Sequence, residues 1–243
     1  LISSEAFRGS VAAVLRSPAS EHKIRYLPNS FDPSPRAEGA VEWQAPVFDR
    51  EFPIVIAGNI GKAQAVRTIL DAAEILGSEP RVGFYFVGTG SMVPYVLERM
   101  RSGGLRNVFL CGEYPIEAIP SILDGASALL LALASNEVLT RTVPSRFQAY
   151  LSAGKPIICA ADGETARITK CSQSGLVCSA DNAEALVETV RTLLNLPAEA
   201  REQMGRSGRS CFEEEFSPAA LSDKLIGVLA ELSGNNGKEG VRR

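Results

Sequence analysis

Phe52-Pro53-Ile54-Val55-Ile56-Ala57-Gly58-Asn59-Ile60-Gly61-Lys62-Ala63-Gln64 is the stretch that decides the fold. Its first residues are apolar without alternation, the pattern of a strand buried on both faces. A glycine ends the run. From 62 to 76 apolar residues then recur at Ala65, Ile69, Ala72, Ala73 and Leu76, which lie on one face of a helix. Strand, glycine turn and helix make half of a parallel crossover unit, and the unit repeats. Apolar runs over 53–57, 82–87, 107–111, 128–133, 156–160 and 176–179 predict six strands, with amphipathic stretches between them. In a further helix over 183–194, Leu186, Val190 and Leu193 share a face. The pattern predicts an α/β chain built on an open, doubly wound, Rossmann-like parallel sheet with helices on both faces.

Upstream, residues 1–27 read as a strand end, a short helix over 5–15 and a second strand over 23–27. A Pro-, Ser- and acid-rich segment over 28–51 reads as irregular surface. Downstream, 197–232 reads as two helices, with Ser217 as N-cap and Pro218 in the first turn of the second. Residues 233–243 are expected to be disordered. The chain opens on Leu1 rather than Met, so an N-terminal continuation is expected.

Bulk properties exclude several classes. The 243 residues are 45% hydrophobic, enough for one good core and a fragment of a second domain. The longest apolar run, 126–134, reaches about half of the roughly 20 residues that a membrane-spanning helix needs. With 25 Lys and Arg against 28 Asp and Glu, net charge −3, the chain has no cationic excess for general nucleic-acid binding. His22 is the one histidine and has no second ligand candidate nearby, so no metal and no zinc hydrolase chemistry is expected. Cys111, Cys159, Cys171, Cys178 and Cys211 show no CxxC spacing and sit mostly in apolar segments, as reduced thiols of a cytoplasmic protein would.

In open sheets of this class ligands bind beyond the carboxyl ends of the strands, so the loops there carry the candidate chemistry. Gly58, Asn59, Gly61 and Lys62 join close backbone approach, a helix start and a positive charge, which is a diphosphate cradle in outline. It is neither a Walker motif nor a GxGxxG fingerprint. Gly88, Thr89 and Gly90 end the second strand. Gly112 and Tyr114 follow the third, where the phenol could lie against a flat base. Pro144, Ser145 and Arg146 open the helix after the fourth, and a cation at a helix start is unfavourable unless an anion is bound there. Each turn also has a plain structural reading, as a tight strand-to-helix connection, a packing aromatic or a solvated arginine.

Taken together, in this order and spacing, these segments resemble the family-four retaining glycosyltransferases of the GT-B fold, over 1–232. Ser3-Ser4-Glu5-Ala6-Phe7-Arg8 and Ile24-Arg25-Tyr26-Leu27-Pro28-Asn29-Ser30-Phe31-Asp32 look like the crossover from the acceptor domain into the donor domain. The segments Gly58 to Gln64, Gly88-Thr89-Gly90, Pro144-Ser145-Arg146 and Tyr150-Leu151-Ser152-Ala153-Gly154-Lys155-Pro156 look like donor-site motifs. The resemblance implies one half of such an enzyme: acceptor-domain end and crossover over 1–51, nucleotide-sugar-binding domain over 52–196, C-terminal helices over 197–232. It further implies metal-independent transfer of a sugar, with retention, from a nucleotide-diphosphate donor such as a UDP-sugar. No cofactor is implied. Lys62 and Arg146, with the Ser145 and Arg146 amides, would hold the diphosphate. Backbone around Gly112 and Tyr114 would hold the base, and Gly58, Asn59, Gly61, Gly88, Thr89, Gly90, Thr142, Pro144 and Ala149 would line the donor site. The wording at 59–64 is most similar to the branch that adds amino sugars in surface polysaccharide assembly. The acceptor, a glycan or lipid-linked sugar, would meet the absent half, at or near the inner membrane face.

Two departures stand against the family pattern. Where the family commonly has two glutamates separated by seven residues, one for sugar hydroxyls and one for ribose, this chain has Arg141 and Ala149. Asn59 replaces an arginine that often accompanies the lysine. These departures keep open a degenerate half that binds or scaffolds without catalysis. A nucleotide-sugar epimerase is the third reading, and it would want acid-base residues that His22 alone does not supply.

Overall fold

The structure is a computed structural model that describes residues 1–15, 22–33 and 44–236. Six parallel strands form one sheet: β1 Phe52–Ala57, β2 Val82–Val87, β3 Val108–Gly112, β4 Ala128–Ala132, β5 Ile157–Ala160 and β6 Gly175–Cys178. Their order is β3-β2-β1-β4-β5-β6, so the direction of winding reverses between β1 and β4. The helices are α1 Arg8–Leu15, α2 Val66–Ile75, α3 Val93–Arg101, α4 Ile119–Asp124, α5 Glu137–Arg141, α6 Ser145–Ala153, α7 Glu164–Cys171, α8 Ala183–Asn195, α9 Ala198–Glu215 and α10 Pro218–Asn236.

Alternating side chains of each strand enter opposite layers, which is why the strands read as unbroken apolar runs. Ile54, Ile56, Phe84, Phe86 and Leu130 pack with Ile69 and Leu70 of α2 and Leu186, Val190 and Leu193 of α8. Val55, Tyr85, Leu129 and Leu131 pack with Ile122 of α4, Phe147 and Tyr150 of α6 and Phe212 of α9. All six predicted strands are present, displaced by a residue at most at either end. The sequence-predicted α/β, doubly wound, Rossmann-like sheet is therefore the observed architecture.

Three predicted elements are corrected. The helix expected over 62–76 is broken: Lys62–Gln64 is a single 3-10 turn, Ala65 is left-handed at φ 45° and ψ 39°, and α2 begins at Val66. The break coincides with a tertiary tie, the Ala63 carbonyl accepting the Ala134 N–H at 3.0 Å from the loop after β4. The strand expected over 23–27 reduces to an isolated bridge between Ile2 and Tyr26, which joins no sheet among the described residues. The final helix runs to Asn236, into the stretch expected to be disordered, and 237–243 lie outside the described residues. At its start, the Ser217 hydroxyl accepts the Ala220 N–H at 3.2 Å, with Pro218 as the first helical residue, as expected.

Helix α9 closes one layer by lying directly on the end of α6. A Cβ on Gly205 would stand 2.0 Å from the Gly154 carbonyl oxygen, so only glycine permits this crossing. Arg209 Nη1 donates to the Ser152 carbonyl at 2.5 Å and fixes the same contact. All five cysteines are free thiols.

Candidate functional site

The carboxyl end of β1 is built from backbone contacts that glycine alone allows. Gly58 has φ 106°, and its N–H donates to Val87 O at 2.8 Å. A Cβ on Gly88 would lie 2.2 Å from Gly58 O, and one on Gly90 would lie 2.4 Å from Ile60 O. The Ile60 N–H bonds Thr89 O at 2.8 Å and the Met92 N–H bonds Ile60 O at 2.9 Å, locking the loops after β1 and β2 into one surface. The close approach at Gly88 and Gly90 is thus to protein backbone. Gly112 differs: its φ of 80° calls for glycine, its carbonyl accepts the Gly88 N–H at 2.7 Å, and the space before its α-carbon is open.

Gln64 holds the next turn. Its Oε1 accepts the Gly61 N–H at 3.1 Å and an Asn59 side-chain N–H at 3.4 Å. Lys62 extends from this turn into solvent, and no ion pair of Lys62 is found among the described residues.

Across the reversal point, α6 supplies the second wall. Pro144 is its N-cap and not its first helical residue, which is Ser145, a shift of one place from the sequence reading. The first turn leaves the Ser145 and Arg146 amides without intrahelical acceptors, while the Phe147 N–H bonds Pro144 O at 2.9 Å. Arg146 reaches back to the loop after β1, where Nη2 donates to Asn59 O at 3.0 Å. Its guanidinium carbon is 3.7 Å from where a Gly58 Cβ would stand. Arg146, two first-turn amides and the Gly58 backbone lie together at this end of the sheet, with the Lys62 turn following from the same strand end, an arrangement suited to a multiply charged anion.

The remaining predicted residues fall elsewhere. Tyr114 is half-buried against the α4–α6 layer, and burial pushes its phenol pKa up, so its ring is engaged in packing. The Thr142 hydroxyl donates to Val138 O at 2.8 Å and its carbonyl accepts from Thr165 Oγ1 at 3.1 Å, which commits it to the end of α5. Ala149 is 7% exposed and lines a groove of about 390 Å³ with Phe31, Ile119, Leu123 and Arg209. Arg141 is tied to Ser10 Oγ at 2.7 Å and to Glu137 Oε1 at 2.8 Å. Two contributors were not singled out from sequence, Gln64 and Tyr150. The Tyr150 hydroxyl accepts the Ala57 N–H at 2.8 Å from inside the core. Its signal was the four-residue spacing from Arg146, which puts both on one helix face.

A family model described as "Glycosyl transferases group 1" matches residues 41–210, more than half of the chain. The chain belongs to this family. It is 26% identical over 161 residues to the putative colanic acid biosynthesis glycosyl transferase WcaI of Escherichia coli K12, covering 65% of this chain and 39% of that protein. Among solved structures, it superposes on a glycosyltransferase from Rickettsia africae with TM-score 0.73 and 15% identity, covering 96% of this chain and 63% of the other. HepE of Anabaena, crystallised with UDP and glucose, superposes with TM-score 0.69 and 15% identity, covering 94% and 61%. The chain spans about two-fifths of the length of the curated relative.

In this member of the glycosyl transferases group 1 family, no cluster of three His, Cys, Asp or Glu side chains suited to a metal ion occurs among the described residues. No helix of the described residues is long and apolar enough to cross a membrane.

Proposed function

We propose that this chain is the donor-binding half of a retaining glycosyltransferase that takes a sugar, hexosyl or acetamido, from a UDP-sugar during surface polysaccharide assembly. Lys62, Arg146 and the Ser145 and Arg146 amides hold the diphosphate, and backbone around Gly112 and Tyr114 holds the base. One observation carries this reading: Arg146 bridges from α6 to the Asn59 carbonyl at the winding reversal, above glycine backbone and beside outward amides. The leaving diphosphate gains charge as the glycosidic bond breaks, and preorganised cations and amides stabilise that change more than they stabilise the bound donor. The acceptor, a glycan or lipid-linked sugar, belongs to the other half, on the cytoplasmic side of the membrane. The half alone therefore binds UDP and transfers nothing. Titration calorimetry with UDP tests this, with an expected dissociation constant between about 1 μM and 1 mM. Absence of heat or thermal shift at millimolar UDP, or turnover by this half alone, refutes it.

A non-catalytic binding or scaffold half is the second reading. It is favoured by Arg141, whose guanidinium is engaged with Ser10 and Glu137, and by Ala149, which offers no acceptor. Sugar transfer on joining this chain to an acceptor half decides against it.

A further inference from the structure

The hydrogen-bond ladder between β1 and β4 stops early. Its pairs are Ile54 with Ala128 and Val55 with Leu129, whereas β1 pairs β2 at all six residues from Phe52 to Ala57. Over its last two residues β1 has no β4 partner, and a buried N–H there needs another acceptor. Tyr150 fills the gap: its Oη accepts the Ala57 N–H at 2.8 Å, and the residue is 1% exposed. One turn earlier on α6, Arg146 donates to Asn59 O at 3.0 Å and lies over Gly58. Helix α6 thus grips three consecutive residues, 57 to 59, at two points. The two side chains also act on each other, since Arg146 draws the Tyr150 hydroxyl pKa down against the larger upward push of burial.

We infer that Tyr150 is a positioning residue of the phosphate site: its hydroxyl fixes the end of β1 against α6, and so sets the spacing between the Lys62 turn and the Arg146 end of the helix. The inference rests on the donor-binding reading above. Lys62 hangs from β1, while Arg146 and the first-turn amides belong to α6, and the two walls meet through the Arg146–Asn59 and Tyr150–Ala57 bonds. A ligand with two phosphates spans both walls and registers their spacing. One with a single phosphate registers it less.

The test is Tyr150→Phe in the whole chain, titrated with UDP and UMP beside the parent. UDP affinity is expected to fall about tenfold and UMP affinity about twofold, so the UDP-to-UMP ratio falls about fivefold. A merely structural hydroxyl would lower the melting temperature and leave the ratio alone, and that result overturns the inference while the donor reading stands. A parent that binds neither nucleotide removes the donor reading and this inference with it. A second measurement needs no substitution: in amide NMR of the parent, UDP shifts the Ala57 resonance and UMP shifts it less. An Ala57 resonance indifferent to saturating UDP overturns the inference even if the phenylalanine variant fails to fold.

Discussion

At the end of β1 and the start of α6 two cations have no carboxylate partner among the described residues, whereas around α5 the polar groups are spent on the protein itself. Lys62 is exposed with no ion pair found among the described residues, and Arg146 donates to the Asn59 carbonyl and interacts with the Tyr150 hydroxyl, neither of them a carboxylate. Arg141, Thr142 and Ala149, by contrast, are a guanidinium bonded to Ser10 and Glu137, a hydroxyl bonded within α5 and a methyl facing a groove. A surface that keeps cations free of carboxylates carries an electrostatic cost that a bound anion removes. A surface whose hydrogen-bonding groups are internally satisfied gains little from a sugar hydroxyl. On the donor-binding reading proposed above, the contrast weights recognition toward phosphate, which is the part of the donor that changes charge in the reaction.

Four substitutions break or sharpen this contrast. The largest effect is expected from Gly88→Ala, which forces a Cβ to within 2.2 Å of Gly58 O at φ 133°. It should cost about 2–4 kcal/mol of stability, read as a lower urea midpoint, and should weaken UDP by disordering the β1 loop. Full stability would mean that the two loops are not in backbone contact. Next, Lys62→Ala should weaken UDP by about 1–3 kcal/mol while leaving the urea midpoint unchanged. Equal affinities in calorimetry would take Lys62 out of the site. Third, Ala149→Glu should tighten UDP by about 1–2 kcal/mol, through charge-assisted bonds to ribose, and should tighten uridine as well. An unchanged affinity with the fold intact puts the ribose outside this groove and favours the scaffold reading. Smallest of all, Arg141→Ala should change stability by about 0.5 kcal/mol at most, since its pair with Glu137 is exposed. UDP affinity should stay the same, and a tenfold loss would show that the α5 side does contact the donor.

The sheet was legible in the sequence because burial on both faces writes itself as unbroken apolar runs bounded by glycine. What escaped reading depended on partners distant in the chain. Nothing near Ala63 announces that its carbonyl will be taken by Ala134, and the break at Ala65 could not be seen in a helix-period pattern. Gly88 and Gly90 announced a constraint without naming it, since a glycine tolerates a ligand and a neighbouring carbonyl equally well. The spacing located Arg146 at a helix start, and the structure supplied its direction toward Asn59. Tyr150 stood in the sequence only as the first residue of the Tyr150-to-Pro156 motif with no role of its own, and the short β1–β4 ladder reveals that its oxygen has a task.

The Gly205 contact has a mechanical consequence. Helix α6 is clamped at its far end, where the Gly154 carbonyl abuts α9 and Arg209 holds Ser152. At its near end Tyr150 and Arg146 hold it to β1. A rod fixed at both ends does not slide along its axis or roll to follow what binds at its tip, so adjustment to an incoming anion must come from side chains and from the Lys62 turn. Any larger displacement would carry sheet, helix and tip together as one lever arm, and on the donor-binding reading would present the phosphate-holding end with its geometry already set.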